Sequence, residues 1–149
     1  MKITEWGPET WMLLHTIVEK IYDDKYNSCK NEIFQIISLI ASSVPCPICR
    51  QHATQYLKDH KISRCNTKDD LKMFIFQFHN NVNARLKKPI FSFSSLSKYS
   101  NVNFSLLVKN YSTHNSKNRS TDLAFSFHRN NNIKLIMKLF IKNTTAFAP

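Results

Sequence analysis

Residues 67–86, TKDDLKMFIFQFHNNVNARL, carry the clearest helical period in the chain, and the fold class follows from reading them. Leu71, Phe74, Ile75, Phe78, Val82 and Leu86 recur at i, +3, +4, +7, +11 and +15, which is one face of an α-helix. Thr67 and Asp70 precede that face in a capping-box-like spacing. Working back from this helix, Pro47 suits the first turn of another that continues to about Lys58, and Pro45 stops the one before it. That earlier helix runs from about Asn31 to Ser43. Ile33, Phe34, Ile36, Ile37, Leu39 and Ile40 make it apolar nearly all round, as expected of a central helix. A first helix from about Pro8 to Ile21 places Trp11, Leu14, Val18 and Ile21 together. Short connections between such helices predict an all-α fold, a compact four- or five-helix bundle with antiparallel neighbours.

The bulk composition agrees. The 149 residues include a single glycine, Gly7. This excludes glycine-rich phosphate loops, both the P-loop and the Rossmann fingerprint, which need several glycines at set offsets. A nucleotide cofactor must be held in another way. The net charge of +11 is uneven: residues 1–89 contribute +4 and residues 90–149 contribute +7. No apolar run approaches membrane-spanning length and the N-terminus has no signal-peptide core, so a cytoplasmic protein is expected.

Phe91, Phe93 and Tyr99 predict packed structure to about residue 100, giving a domain over 1–100. From 101 to 149 Asn, Ser, Thr and Lys dominate, which predicts a basic and mostly flexible extension. It closes on Ile133–Lys142, where lysines recur opposite an apolar face. That segment is read either as a basic amphipathic helix touching a membrane or partner, or as a terminal helix docked on its own domain. The extension lacks the aromatic–basic pattern of a base-stacking surface, so no specific nucleic-acid partner is expected.

Chemistry concentrates at Cys46-Pro47-Ile48-Cys49. Such a motif has three common meanings: a thioredoxin-like pair, half of a zinc site, or another catalytic disulfide. The thioredoxin reading expects a βαβ unit, and no strands are evident. Zinc needs further ligands, and Cys46/Cys49/His60/Cys65 is a conceivable set whose spacing matches no common finger. Cys46 begins a helix, where free backbone N–H groups and the helix dipole stabilise a thiolate. It is therefore the natural interchange cysteine, with Cys49 one turn deeper. His79, Asn80, Asn83 and Lys87 form polar rows beside Phe78 and Val82, read either as the holder of a planar cofactor with polar edges or as a solvated face with a satisfied histidine.

In order, Trp6-Gly7-Pro8-Glu9-Thr10-Trp11-Met12-Leu13-Leu14-His15, Cys46-Pro47-Ile48-Cys49-Arg50 and His79-Asn80-Asn81-Val82-Asn83-Ala84-Arg85-Leu86-Lys87-Lys88-Pro89 resemble the Erv/ALR sulfhydryl oxidase family over residues 5 to about 100. The short form and the Cys-Pro-x-Cys-Arg sequence look most like versions carried by large DNA viruses, which would place the protein in host cytoplasm or virion. The resemblance implies a helical bundle that binds FAD, usually as a homodimer. It implies cofactor contacts from Gly7, Trp11 and His15, with His79, Asn80, Val82, Asn83, Lys87 and Lys88 holding the adenosine and phosphate parts. Tyr56 is expected on the same pocket, and Phe93 where the family often has a tryptophan.

The implied reaction is disulfide formation in substrate proteins. Cys46 meets the substrate thiol, Cys49 meets the flavin, and dioxygen takes the electrons as hydrogen peroxide. Many members own a second, mobile cysteine pair. Here only Cys29 and Cys65 remain, read as unpaired or structural, so another protein's Cys-x-x-Cys, such as a thioredoxin-like carrier, is the expected substrate. A zinc-binding module and a basic adaptor are the competing readings.

Overall fold

The computed structural model describes residues 2–117 and 122–149. Its elements are α1 (Ile3–Lys20), α2 (Asp23–Ala41), α3 (Pro47–Asp59), α4 (Lys68–Arg85), α5 (Phe104–Lys117) and α6 (Leu123–Lys142), with short 3-10 segments at Ile62–Arg64, Phe93–Asn101 and Thr144–Ala146. No strand is formed among the described residues, and the fold is all-α as the periodicity predicts.

Helix α4 starts as its sequence requires. The Asp70 N–H donates to Thr67 Oγ1 at 3.0 Å, and the Asp70 carboxylate accepts from the Thr67 N–H at 3.1 Å. Two helices begin earlier than expected. Helix α1 starts at Ile3 and carries Pro8 inside it. Proline supplies no N–H to the carbonyl four residues back, but the first turn is held by the Glu5 carboxylate, which accepts from the Lys2 N–H at 3.0 Å. Helix α2 starts at Asp23, where Asp23 and Asp24 complement the positive end of the helix dipole.

Leu13 and Ile17 of α1, Ile33, Ile36, Ile37 and Ile40 of α2, and Leu71 and Ile75 of α4 are all fully buried and form the centre of the core. Tyr26 is buried too, and its hydroxyl donates to the Cys65 carbonyl at 2.7 Å, tying α2 to the loop before α4.

The expected flexible extension is the reading that the structure corrects. Apart from residues 118–121, which lie outside the described residues, segment 101–149 is largely helical. Helix α5 packs on α1, and α6 packs on α2 and α5. Average composition obscured two faces at helical spacing: Phe104, Leu107, Val108 and Tyr111 on α5, and Ile133, Ile136, Leu139 and Phe140 on α6, all buried. Several polar residues that read as tail are internal cross-links. Buried Arg129 donates to the Asn115 side-chain oxygen, and Asn115 donates to the Tyr111 carbonyl at 2.8 Å. The amphipathic face of α6 is therefore occupied by its own protein, which is the docked alternative. No described helix is long and apolar enough to cross a membrane.

The last residues run antiparallel to the α1–α2 corner. The Tyr22 N–H donates to the Ala146 carbonyl at 2.9 Å, and the Ala148 N–H to the Lys20 carbonyl at 2.7 Å. Phe147 closes over Phe104 at 4.7 Å between ring centroids.

Because Ile136 is fully buried between α6 and the bundle, Ile136→Ala is expected to lower unfolding free energy by about 2–5 kcal/mol. Urea denaturation measures this. An unchanged midpoint would mean that α6 lies outside the cooperative core.

Candidate active site

The first turn of α3 presents the two cysteines differently. Cys46 is the N-cap residue, and its sulfur accepts from the Cys49 N–H at 3.2 Å. Both are free thiols, and each is partly buried. Burial pushes the Cys46 thiol up, but hydrogen bonds from the Cys49 thiol and from the Cys49 and Ile48 N–H groups, with the charge of Arg85, outweigh it and leave it below the usual thiol range. Cys49 moves the opposite way. Burial raises it first and the Cys46 sulfur raises it further, against the opposing pull of the Arg85 guanidinium. Cys46 is thus the more acidic thiol of the pair, and Cys49 the less acidic.

Cys49 also lies on the wall of a cavity of about 350 Å³ between α1, α3 and α4. Trp11 and His79 are stacked at 4.1 Å with planes 10° apart, and form a flat side of that cavity. His15 lies behind them, its Nε2 at 2.8 Å from His79 Nδ1. Burial is the main reason that His15 is held down to about 3, with help from His79 and Lys98. His79 is held down to about 4, again mainly by burial and then by Lys88 and Lys98. Both imidazoles are neutral at pH 7, so one donates and the other accepts. Phe91 and Tyr99 stack on His15 at 5.3 and 4.9 Å and complete the aromatic cluster.

Two observations mark the cavity as a ligand site. Asn83 is only 8 % exposed yet lines it, placing a polar side chain on a mostly apolar wall. The chain's only glycine is the second. Gly7 sits in the interior of α1, where glycine is unfavourable by about 1 kcal/mol relative to alanine. A Cβ there would meet Ile3 Cγ1 at 3.7 Å, an ordinary contact, so protein packing does not demand glycine. What a side chain at position 7 would fill is the cavity that Gly7 lines.

The structure gathers most of the expected residues. Gly7, Trp11, His79, Val82, Asn83, Lys88 and Cys49 all line the cavity. His15 supports the wall from behind, and Tyr56 stands in a second layer, stacked on Phe78 at 4.7 Å. Asn80, Lys87 and Phe93 do not line it. The Asn80 side chain accepts from the Phe91 N–H at 2.7 Å and donates to the Phe91 carbonyl at 3.1 Å, clamping the loop after Pro89. Lys87 adopts left-handed backbone (φ 57°) where α4 ends. Its N–H donates to Ala84, and that of Lys88 to Asn83, the paired bonds of a Schellman stop. Phe93 packs edge-on against Phe76 at 5.2 Å, outside the site, and Phe91 is the aromatic that reaches the histidines.

Sequence reasoning missed Arg85, Lys98 and Tyr99, all on the cavity wall. Arg85 was recoverable, since it lies seven residues after Phe78 on the same helical row. Lys98 and Tyr99 arrive through a 3-10 segment with no such period. Arg50 is turned from the thiols, its Nη1 donating to the Val44 carbonyl at 2.9 Å. Cys29 and Cys65 are buried. Burial is the first cause raising both thiols, Cys65 to about 11. The described residues hold no group of three His, Cys, Asp or Glu side chains able to bind a metal.

A helical bundle that places one sulfur of a dithiol on the wall of an apolar cavity with a flat aromatic side has the arrangement of a redox protein whose cavity can take a planar partner. The sequence model of the Erv1/Alr family matches residues 8–104, and the chain belongs to that family. It is 38 % identical over 97 residues to an FAD-linked sulfhydryl oxidase of African swine fever virus, an alignment covering 65 % of this chain and 78 % of that protein. It is 33 % identical over 85 residues to a putative FAD-linked sulfhydryl oxidase of Invertebrate iridescent virus 3, covering 56 % of this chain and 57 % of the other. Similarity to an FAD-linked sulfhydryl oxidase of Oryza sativa subsp. japonica is 31 % identity over 87 residues, covering 58 % and 44 % of the two chains.

Gly7→Ala tests the cavity directly. Ligand-free protein is expected to gain about 0.5–1 kcal/mol in thermal or urea unfolding, because the methyl meets Ile3 at ordinary contact distance while helix propensity improves. A loss of stability would mean that the methyl collides with protein and that the glycine serves packing.

Proposed function

We propose that this protein is an FAD-dependent thiol oxidase that forms disulfide bonds in substrate proteins through Cys46 and Cys49. The observation that carries the reading is the placement of Cys49 on the cavity wall beside Trp11 and His79, with the more acidic Cys46 at the helix end. A bound FAD would supply the electron acceptor for the dithiol and the route to dioxygen, with hydrogen peroxide as product. Trp11 and His79 offer a flat surface to its rings, the Asn83 amide offers hydrogen bonds to a polar edge, and Lys88 and Lys98 offer positive charge to its phosphates. His15 acts through His79, and Tyr56 through Phe78. Asn80 and Lys87 act by shaping the end of α4 and the loop behind it, and Phe93 by packing that loop.

The chain's own part of the reaction is thiol–disulfide exchange. A substrate thiolate attacks the oxidised pair at Cys46, forming a substrate–Cys46 disulfide and releasing Cys49 as a thiolate. Arg85 stabilises that leaving sulfur. The second substrate thiolate then attacks the substrate sulfur of the mixed disulfide, and Cys46 leaves. Net, the substrate loses two electrons and two protons, and the Cys46–Cys49 pair gains them. Low acidity of Cys49 in the free dithiol owes part of its cause to the neighbouring Cys46 sulfur. That part vanishes while Cys46 is engaged with substrate, which favours release of Cys49.

Burial of Cys29 and Cys65 argues against an internal relay, and supports direct action on another protein's Cys-x-x-Cys, such as a thioredoxin-like carrier. Family likeness supports a homodimer, and the viral relatives support action in host cytoplasm or virion.

Purified protein is expected to be yellow, with a flavin spectrum that bleaches on dithiothreitol under nitrogen and returns in air. Cys49→Ser should abolish peroxide production, whereas Cys29→Ser should leave it within about twofold of wild type. A colourless, zinc-loaded preparation would contradict the reading.

A further inference from the structure

Helix α3 carries the reactive pair but is weakly anchored at that end. Its one buried residue is Leu57, in the last turn, while Ile48 between the cysteines is 63 % exposed. The turn leading into it is nevertheless held at several points, and two of these are on α6. Asn132 Nδ2 donates to Ser42 Oγ at 3.1 Å and to Ser43 Oγ at 3.2 Å. Those hydroxyls in turn donate to the Leu39 carbonyl at 3.0 and 2.6 Å, so the end of α2 is bolted to α6. Past the turn, the Arg50 guanidinium carbon stands 3.8 Å from the centroid of the Phe125 ring, while its Nη1 holds the Val44 carbonyl. Phe125 and Asn132 are two helical turns apart, about 10 Å along the axis. They reach residues either side of the cysteine turn, Arg50 after it and Ser42 and Ser43 before it, with Arg129 between them bonded to Asn115 of α5.

We infer that the inner face of α6 is the positioning element of the redox turn, with Phe125 and Asn132 holding residues 42–50 so that Cys46 stays on the N-terminal N–H groups of α3 and Cys49 stays on the cavity wall. This rests on reading Cys46 and Cys49 as the reactive pair. Helix α6 lies beyond the segment matched by the family model, which ends at residue 104, so these contacts are supplied by this chain's C-terminal hairpin. Physical selection argues for a role besides packing. A face built only for burial has no need of a buried asparagine and a guanidinium stacked on an aromatic ring, both of which cost desolvation unless fully partnered. The bond they protect is geometrically demanding, because thiolate stabilisation by the Cys49 N–H falls away quickly as the 3.2 Å contact lengthens.

The test uses full-length, cofactor-loaded protein carrying Phe125→Ala, Phe125→Trp or Asn132→Ala. Three properties are read: the pH profile of Cys46 alkylation by iodoacetamide after reduction, kcat and KM for dithiothreitol, and the melting temperature. Phe125→Ala and Asn132→Ala are expected to move the alkylation profile to higher pH, slowing reaction at pH 7 about threefold or more. They should also lower kcat with KM little changed, and Phe125→Trp should restore both. If Phe125→Ala does not fold, Arg50→Lys, which keeps the charge but loses the stacked plane, is expected to give the same shift. An unshifted profile and unchanged kcat in folded variants, with or without a lower melting temperature, would overturn the inference. Absence of oxidase activity in the wild type would instead strike the oxidase reading, since alkylation of Cys46 is measured without turnover.

Discussion

His15 on α1 and His79 on α4 meet at 2.8 Å, and burial disfavours a second proton on either ring, so both are neutral at pH 7. A neutral pair satisfies this by having one ring donate to the other, which sets the separation and rotation of the two helices at that level. Trp11 stacks on His79 as a result, and Phe91 and Tyr99 close on His15. The loop after α4 is drawn over the pair by Asn80, so the cavity acquires a floor, a flat wall and a rim from segments far apart in sequence. Everything proposed about chemistry depends on Cys49 reaching that wall.

The C-terminal hairpin does two jobs in the same structure. Its apolar side completes the core against α1 and α2, and its polar residues cross-link α5, α6 and the turn before α3. This explains how a basic, asparagine-rich segment can be ordered. Its side chains satisfy each other in the interior, where an unpaired amide would be destabilising.

How much of this was readable from sequence depended on the kind of signal. Helices α3 and α4 were legible because a proline, a capping box and a sustained apolar period all agreed. The meeting of Trp11, Cys49, His79 and Asn83 at one cavity was legible because the ordered motifs resemble a family pattern that groups them. The starts of α1 and α2 were not, since Pro8 argued for a later start and residues 23–30 look polar until Tyr26 and Cys29 are seen to be buried. Composition misled over residues 101–149, because an average over asparagines and lysines hides which of them face inward. Phe93 was assigned by analogy with a tryptophan, whereas Phe91 reaches the histidines because Asn80 clamps the backbone at that residue. No local pattern encodes that long-range bond.

The central claim is the proposed division of labour within the pair: Cys46 exchanges with substrate, and Cys49 lines the cavity. Cofactor-loaded Cys49→Ser and Cys46→Ser proteins, each with one sulfur of the motif remaining, can be reacted with glutathione disulfide and the adduct rate followed by intact mass. Cys46 in the first variant is expected to form its mixed disulfide at least about tenfold faster than Cys49 in the second, given a more acidic sulfur at the helix end. Equal rates, or a faster reaction at Cys49, would contradict the assignment.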